Sequence, residues 1–371
     1  MRISLSFLIV FLFSSRLFGL NDFTEIDSRS VSIPDSLKTV EQISAYLTKD
    51  LTHEVDKVRA FYIWIAHNIR YDLSKKDTKY KLKVELIEEA LKDRCGVCQH
   101  YSELFHAFCQ KSGIKSFVIG GYSRRDNGEV SNIAHSWNAV EIDSNYLNID
   151  VTWASGYLMK DEYINQFRDL YFLIEPKEFL KTHLPFDPVW QFVDNPINIL
   201  DFNNQDLSKL SVNGNYNYQA LIGKIESQSW LVNLEQHNKR LLSSEGLNDL
   251  ILKEVEENVL QISYEKCRIA VDTLNSAIDN YNLYIKHKNT RFREPFIDDS
   301  KLMYLIANID RPLSKADLTF RNIFTLNYDL NKQVANLRKN LGEFILKLEV
   351  EKRFVDKYIK TKKTFRFLLF V

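Results

Sequence analysis

The chain has 371 residues, enough for two domains, and 45% of them are hydrophobic, so it can bury a sizeable core. It carries 49 basic and 49 acidic side chains, a balance that argues against a general nucleic-acid-binding protein. The 11 glycines and 7 prolines together make up less than half of the share that is usual for these two residues, which is about 12%. This scarcity argues against turn-rich, collagen-like and low-complexity classes and predicts a largely helical chain. Six of the glycines lie within 96–156, where we expect turns.

The first 19 residues have the pattern of a secretory signal peptide. Met1 and Arg2 give a short positive start, residues 3–13 are an apolar run, and residues 14–19 bring small residues. The run is too short for a bilayer, which needs about 20 residues, and no later segment reaches that length. We therefore expect an exported protein, periplasmic or extracellular, with no transmembrane span. The cysteines are too few for a disulfide scaffold, being Cys95, Cys98, Cys109 and Cys267.

The part that follows combines helices with short strands. Helically spaced apolar residues predict helices within 35–72 and over 82–92. Residues 176–203 hold four of the seven prolines, which is typical of an irregular segment. Short β-type runs predict strands over 116–122, 135–142 and 146–151.

From residue 216 onward the sequence is typical of long helices. Only three glycines and two prolines occur in 216–371, and Pro295 marks a break within 289–299. Two apolar stripes step by three and four residues, which predicts an antiparallel bundle or a long helical hairpin. The stripes are Ala270, Leu274, Ala277, Tyr281 and Tyr284, and then Leu330, Val334, Leu337, Leu341, Phe344, Leu348, Val355 and Tyr358.

We thus predict a signal peptide over 1–19, a catalytic domain over 20–200, a linker over 201–215 and a helical domain over 216–371. The last part of that domain, residues 321–371, carries 12 basic and 5 acidic side chains and ends in an apolar tail. The simpler interpretation is a solvated helix face with the tail packed on the bundle. The functional one is attachment to a protein partner or an anionic surface.

Cys98 has the setting of a cysteine nucleophile. Apolar side chains after it follow one helical face, and Gly113 is placed to end that helix. Cys98 then lies at the helix N-terminus, where free N–H groups and the positive end of the helix dipole favour a thiolate. Gly96 allows the backbone to turn tightly just before it.

His135 and Asp150 lie on neighbouring predicted strands that a hairpin can bring together. If Ile142 faces Tyr146, the two site residues lie on opposite faces of the hairpin. If it faces Asn145, they lie diagonally on the same face. A site that combines them with the cysteine therefore requires the second register or a bulge. In such a site His135 would be the base and Asp150 would fix its tautomer.

The Cys95-x-x-Cys98 spacing allows two other interpretations. A redox dithiol would need a thioredoxin-like context, whereas here the strands follow the helix, although the pair could still oxidise in an exported protein. Zinc could use both thiols with His100 and either His106 or Cys109, but no second ligand pair with knuckle spacing exists. We favour the nucleophile and predict no metal and no other cofactor.

Three blocks in this order resemble the transglutaminase-like superfamily of papain-type cysteine enzymes, and most of all its kyphoscoliosis-peptidase-like branch. The resemblance covers about residues 40–195. The sequence departs from the family at His100, where a small residue is usual, and at Cys95. The blocks are Gly96-Val97-Cys98-Gln99-x-Tyr101, His135-x-Trp137-Asn138 and Ile149-Asp150-Val151-Thr152-Trp153.

The resemblance implies a papain-like α+β core, in which the helix that bears the cysteine packs on an antiparallel sheet. It implies Cys98 as nucleophile, His135 as base and Asp150 as orienting acid. The implied activity is acyl transfer through a thioester, and we favour hydrolysis of a peptide or protein over cross-linking. Because the family includes inactive members, the alternative is a catalytically silent scaffold that acts through its helical domain.

The sequence also offers candidates for a substrate groove. Trp137, Trp153 and Gln99 are the candidates to line it, and a bulky His100 would narrow it. Large aromatic side chains usually pack in a core, so burial is the simpler role for both tryptophans. We expect His183, which lies near Pro185, to be structural.

Overall fold

The computed structural model describes residues 22–78, 81–125, 127–159 and 162–370. The predicted signal peptide lies outside the described residues, so export stays a prediction. The chain divides into two compact units, Met1–Tyr218 and Gln219–Val371. Within the described residues, no helix is both long enough and apolar enough to cross a membrane.

The first unit is an α+β core, which confirms the predicted fold class. Its helices are α1 Thr24–Val31, α2 Val40–Leu47, α3 Glu54–Asn68, α4 Lys83–Asp93, α5 Cys98–Lys111, α6 Val151–Ser155, α7 Pro176–Phe179 and α8 Ile199–Asn203. Its strands are β1 Arg70–Tyr71, β2 Cys95–Gly96, β3 Ser116–Ser123, β4 His135–Ile142, β5 Asn145–Ile149, β6 Gly156–Met159, β7 Glu162–Asn165 and β8 His183–Pro185.

Helix α3 lies at the centre of this core, and nearly all of its second half is buried. Its one buried cation, Arg59, is 3% exposed and donates hydrogen bonds to both carboxylate oxygens of Asp27 and of Asp169, at 2.6–2.9 Å. The ring centroids of Phe23 and Phe172 lie 5.1 and 4.9 Å from Cζ of its guanidinium. Arg59 therefore ties helix α1 and the segment after β7 to the central helix.

The main sheet has the strand order β5-β4-β3-β8, and its neighbouring strands are antiparallel. Ile142 faces Asn145 across the hairpin between β4 and β5, which is the register that the candidate site requires. The two loop residues, Asp143 and Ser144, have φ values of 49° and 63°. Positive φ at both positions is the backbone of a two-residue hairpin turn whose twist matches that of the strands.

The segment 201–215, predicted as a linker, is part of the first unit. It begins within α8 and includes a 3₁₀ turn, Ser208–Ser211, whose Leu210 is buried. The carbonyl of Asp194 accepts a hydrogen bond from the backbone N–H of Tyr216 just beyond it. This segment is therefore packed rather than extended between the units.

The second unit is helical, as predicted. Its helices are α9 Tyr218–Ser227, which begins at the last residue of the first unit, α10 Trp230–Leu242, α11 Asp249–Asn289, α12 Asp299–Arg321 and α13 Tyr328–Lys360. Ser263 on α11 donates a hydrogen bond to the carbonyl of Phe324, just after α12, while Tyr284 near the other end of α11 packs on Phe292, just before α12. Helices α11 and α12 are therefore antiparallel.

Both predicted stripes supply the core of this unit, but the sequence analysis missed helix α12. Pro312 lies inside α12, and a proline inside a helix usually breaks or kinks it. The apolar tail packs on the bundle, because Phe370 contacts the rings of Phe292, Phe354 and Tyr358. Attachment of the basic segment to a partner or an anionic surface stays a prediction.

Gly121 lies at a crowded point of the main sheet. It pairs with His135 on one side and with Pro185 on the other. A Cβ at this position would collide with the carbonyl of Leu184 and would lie 2.5 Å from the indole of Trp137. Glycine is therefore what allows strand β8 and the tryptophan to approach β3 so closely.

We expect Gly121→Ala to lower the free energy of unfolding by about 1–3 kcal/mol, because the added methyl group overpacks the sheet. The matched control is Gly120→Ala, whose Cβ would make only ordinary contacts, 3.8–4.0 Å from the Phe186 ring. Urea unfolding of both variants measures the difference. Equal stability of the two variants would contradict this account of the sheet.

Candidate active site

Cys98 is the first residue of helix α5 and is half-buried. The predicted helix is confirmed at both ends, since it finishes at Lys111 and Gly113 follows with a φ of 72°. The first turn of any α-helix has backbone N–H groups without helical partners. The Cys98 thiol therefore lies at the positive end of the α5 dipole, as the sequence indicated.

His100 fixes the start of this helix and does not line a groove. It is fully buried, and its Nδ1 accepts a hydrogen bond from the backbone N–H of Val97 at 3.2 Å. Its Nε2 lies 3.2 Å from Oε2 of Glu89 on α4. His100 thus accepts the hydrogen bond from the N-cap backbone N–H that a Glu or Gln side chain accepts in a capping box. It also explains Gly96, because a Cβ there would collide with the His100 side chain.

The structure brings His135 and Asp150 together. Nε2 of His135 lies 2.7 Å from Oδ2 of Asp150, and both side chains are buried. The Cys98 thiol lies close enough to His135 to raise the pKa of its imidazole. Because Nε2 is engaged by the carboxylate, Nδ1 is the ring nitrogen left for the thiol. His135 and Asp150 therefore form an imidazole–carboxylate pair, and the Cys98 thiol is a neighbour of the imidazole.

Asp150 has further partners. Its Oδ1 accepts a hydrogen bond from the backbone N–H of Trp153 at 3.0 Å, which caps helix α6. Its Oδ2 lies 3.1 Å from Nε2 of His183, the first residue of β8. The carboxylate is 0% exposed, so these partners replace the water it loses on burial.

The charges in the site follow from these contacts. Burial alone would lower the pKa of His135, but the Asp150 carboxylate and the neighbouring Cys98 raise that pKa to about 10. Burial alone would raise the pKa of Asp150, but His135 and His183 hold it well below its usual range. Burial lowers the pKa of His183 to about 4 despite its bond with Asp150. At neutral pH His135 is therefore an imidazolium beside a carboxylate, and His183 is neutral.

The remaining predicted residues lie around this chain. Trp137 is buried, whereas the half-buried Trp153 has its ring centroid 5.5 Å from that of His135. Gln99 is half-buried, and its amide oxygen accepts a hydrogen bond from Thr78. Tyr71 packs near the site, and burial together with the charges of Cys98 and Asp150 raises its pKa.

A metal ion could be held in this part of the structure by one group of side chains. Ring nitrogens of His135 and His183 and an oxygen of Asp150 lie within 4.8 Å of one another. All three side chains are buried, and each of these atoms already has a hydrogen-bond partner. The zinc set considered from the sequence, which includes Cys95 and His100, is not gathered into such a group. Cys95 is a free, buried thiol, and burial raises its pKa.

The segment that bears these three residues is similar to known proteins. The family model of the transglutaminase-like superfamily matches residues 41–151, which include the thiol, the imidazole and the carboxylate. This segment is therefore similar to a transglutaminase-like core. It is distantly homologous to human kyphoscoliosis peptidase, which is 26% identical over 192 residues, or 50% of this chain and 29% of that protein. Hillarin of Drosophila melanogaster is 24% identical over 49% of this chain and 24% of its own length.

The chain thus spans less than a third of the length of these curated relatives. A solved structure of a TGase aligns over 43% of this chain and 38% of that chain, at 16% identity. Its TM-score of 0.23 is too low to support a conclusion. The similarity to the transglutaminase-like superfamily rests on the family match over residues 41–151.

The sequence analysis treated His183 as structural and missed its contact with Asp150. The two residues are 33 positions apart, and the Pro-rich segment around His183 has no regular periodicity. Strand β8 spans only His183–Pro185 and pairs on the far side of β3 from β4. A three-residue strand gives too little alternation to be recognised, so no sequence signal pointed to this contact.

The raised pKa of His135 predicts a stability difference that depends on pH. Protonated His135 is favoured in the folded protein, so its contribution is full below the unfolded value of about 6.5 and is lost as the pH rises through about 10. The gap in unfolding free energy between wild type and His135→Gln should therefore shrink from pH 6.5 to pH 10. Denaturant titrations measure it, and a gap that stays constant or widens would contradict the assigned charges.

Proposed function

We propose that this protein is a cysteine enzyme that transfers acyl groups through a thioester on Cys98. The observation that carries the proposal is the buried His135, whose imidazole contacts the Asp150 carboxylate and has its pKa raised by the neighbouring Cys98. An imidazolium next to a thiol favours the thiolate, which is the reactive form of cysteine.

The reaction follows from the order of these groups. The Cys98 thiolate attacks the substrate carbonyl carbon, and the His135 imidazolium gives its proton to the leaving amine as the C–N bond breaks. A thioester remains on Cys98. Neutral His135 then takes a proton from the incoming water, which releases the acid and restores the thiolate–imidazolium pair. Throughout, Asp150 holds the ring with Nε2–H toward itself and stabilises the charge on it.

The negative oxygen that forms on the carbonyl carbon needs hydrogen-bond donors. The backbone N–H of Cys98 is the donor that helix geometry provides, because it lies in the first turn of α5. In such sites the loss of one donor costs about 10²–10³ in kcat. Helix α5 therefore serves the reaction both at the thiol and at the oxyanion.

We propose hydrolysis of a peptide or protein as the outcome in preference to transfer to an amine. The support is the homology to a protein named a peptidase, and it covers half of this chain. Export, which would place this hydrolysis outside the cytoplasm, is part of the proposal through the sequence of residues 1–19. Fractionation of cells that express the full chain would test export by following the protein to the exported fraction.

Incubation of the protein with a peptide library under reducing conditions should yield new peptide ends. Cys98→Ala should lower the rate at least about 10³-fold, and His135→Ala by a similar factor, because members of a triad act as a unit. The matched control is Cys95→Ala, which removes the other thiol of the pair and should keep most of the activity. Mass spectrometry measures the products.

Two outcomes would overturn the proposal. Hydrolysis that survives Cys98→Ala would place the chemistry elsewhere. Absence of any acyl-transfer product from the wild type, whether or not Cys98 reacts with iodoacetamide, would favour the silent scaffold instead. A parallel incubation with methylamine identifies the acceptor, since amide products in place of free acids would replace hydrolysis by cross-linking chemistry.

A further inference from the structure

His183 occupies a fully buried position directly behind the carboxylate of Asp150. Its Nε2 lies 3.1 Å from Oδ2, the same oxygen that His135 contacts at 2.7 Å. The His183 ring stacks on Phe179, with centroids 4.1 Å apart and planes inclined by 14°. Trp153 covers it from another side, at 4.5 Å between centroids. The ring is therefore held in one orientation by its packing.

The hydrogen bonds of His183 fix which of its nitrogens carries the proton. The hydroxyl of Thr182 lies 2.8 Å from Nδ1. A neutral imidazole has one N–H, and an ionised carboxylate can only accept, so the proton is on Nε2 and points at Asp150. Nδ1 then accepts a hydrogen bond from the Thr182 hydroxyl. Every polar atom of the ring is satisfied in this one tautomer.

We propose that His183 is a positioning residue, which holds Oδ2 of Asp150 in the orientation that supports the imidazolium of His135. The proposal rests on the proposed cysteine chemistry. If only His135 and the backbone N–H of Trp153 bound the carboxylate, it could still rotate about the Cβ–Cγ bond of Asp150. The third donor is His183, which lies on β8 at the opposite edge of the main sheet from β5. Its hydrogen bond to Oδ2 removes that freedom.

The surroundings of His183 favour this role over two others. The groups that titrate around it are Asp150, His135 and, at 6.4 Å between ring centroids, Tyr171. Phe179, Trp153 and Trp137 supply only aromatic surface. His183 is 0% exposed and separated from Cys98 by the His135–Asp150 pair, so it is not a second base. Metal binding by the two imidazoles and the carboxylate is the remaining alternative, and the experiment below includes it.

The test measures how fast iodoacetamide alkylates Cys98 in the full chain as a function of pH, because alkylation reports the thiolate without a known substrate. His183→Phe keeps an aromatic ring but loses the donor. We expect the midpoint, which is the pH at which the alkylation rate is half-maximal, to rise by about one pH unit. At pH values below the midpoint, alkylation should then be about tenfold slower than in the wild type. His183→Gln, which can place an amide N–H near the former Nε2, should restore most of the wild-type profile.

The matched control is His106→Phe, a change of another histidine whose pKa is lowered by burial, to about 4, and whose partner is Ser116. Its profile should equal that of the wild type. If His183→Phe does not fold, Thr182→Val takes its place. That variant removes the hydroxyl that contacts Nδ1 of His183 and the Phe179 carbonyl, and it should move the midpoint in the same direction by a smaller amount.

Three results would overturn the proposal. The first is an unchanged midpoint in His183→Phe or, where that variant is unfolded, in Thr182→Val. The second is a folded His183→Gln as impaired as His183→Phe, which would reduce His183 to packing. The third is a wild-type profile altered by EDTA, which would make the three side chains a metal site. Failure of the proposed function looks different: the wild type would cleave no peptide although its Cys98 is alkylated as a thiolate at low pH.

Discussion

Burial of a carboxylate costs several kcal/mol unless donors replace its water, and the site is organised around this requirement at Asp150. Its two oxygens accept hydrogen bonds from two imidazoles and one backbone N–H. These donors belong to β4, β8 and the start of α6, and Asp150 itself follows β5. One buried charge therefore joins elements from both edges of the main sheet.

The sheet makes this convergence possible through small backbone features. The two-residue turn at Asp143 and Ser144 sets the register that puts Asp150 on the face of His135. Gly121 leaves room between the strands that carry the two histidines. Helix α5 brings Cys98 to His135, and its start is fixed by the buried His100. The geometry of the candidate site thus depends on residues other than Cys98, His135 and Asp150.

Much of this could be predicted from the sequence because the signals were local. The stripe after Cys98 predicted a helix that starts there, and the alternation around His135 predicted β4 with the bounds it has. The hairpin could be narrowed to two registers, and only the structure could choose between them. For α12 a stripe was present and was overlooked, at Leu302, Leu305, Ile309, Leu313, Ala316 and Phe320.

The rest could not be predicted because it depends on contacts between distant parts of the chain. His183 reaches Asp150 only because β8 pairs with β3, and a strand of three residues has no pattern of its own. The buried orientation of the His100 side chain depends on its contact with Glu89, which lies on a different helix. Histidine is not the residue expected at the third position of a capping box, so its position suggested a groove instead.

The central claim is that Cys98 carries the acyl group during the reaction. Its most direct test is to quench the wild type with acid early in the cleavage of a peptide identified from the library, and to map the protein by mass spectrometry. The account predicts an acyl adduct on the segment that contains Cys98, absent in Cys98→Ala and removed by hydroxylamine. Cleavage that proceeds without this adduct under the same conditions, or an adduct on another residue, would contradict it.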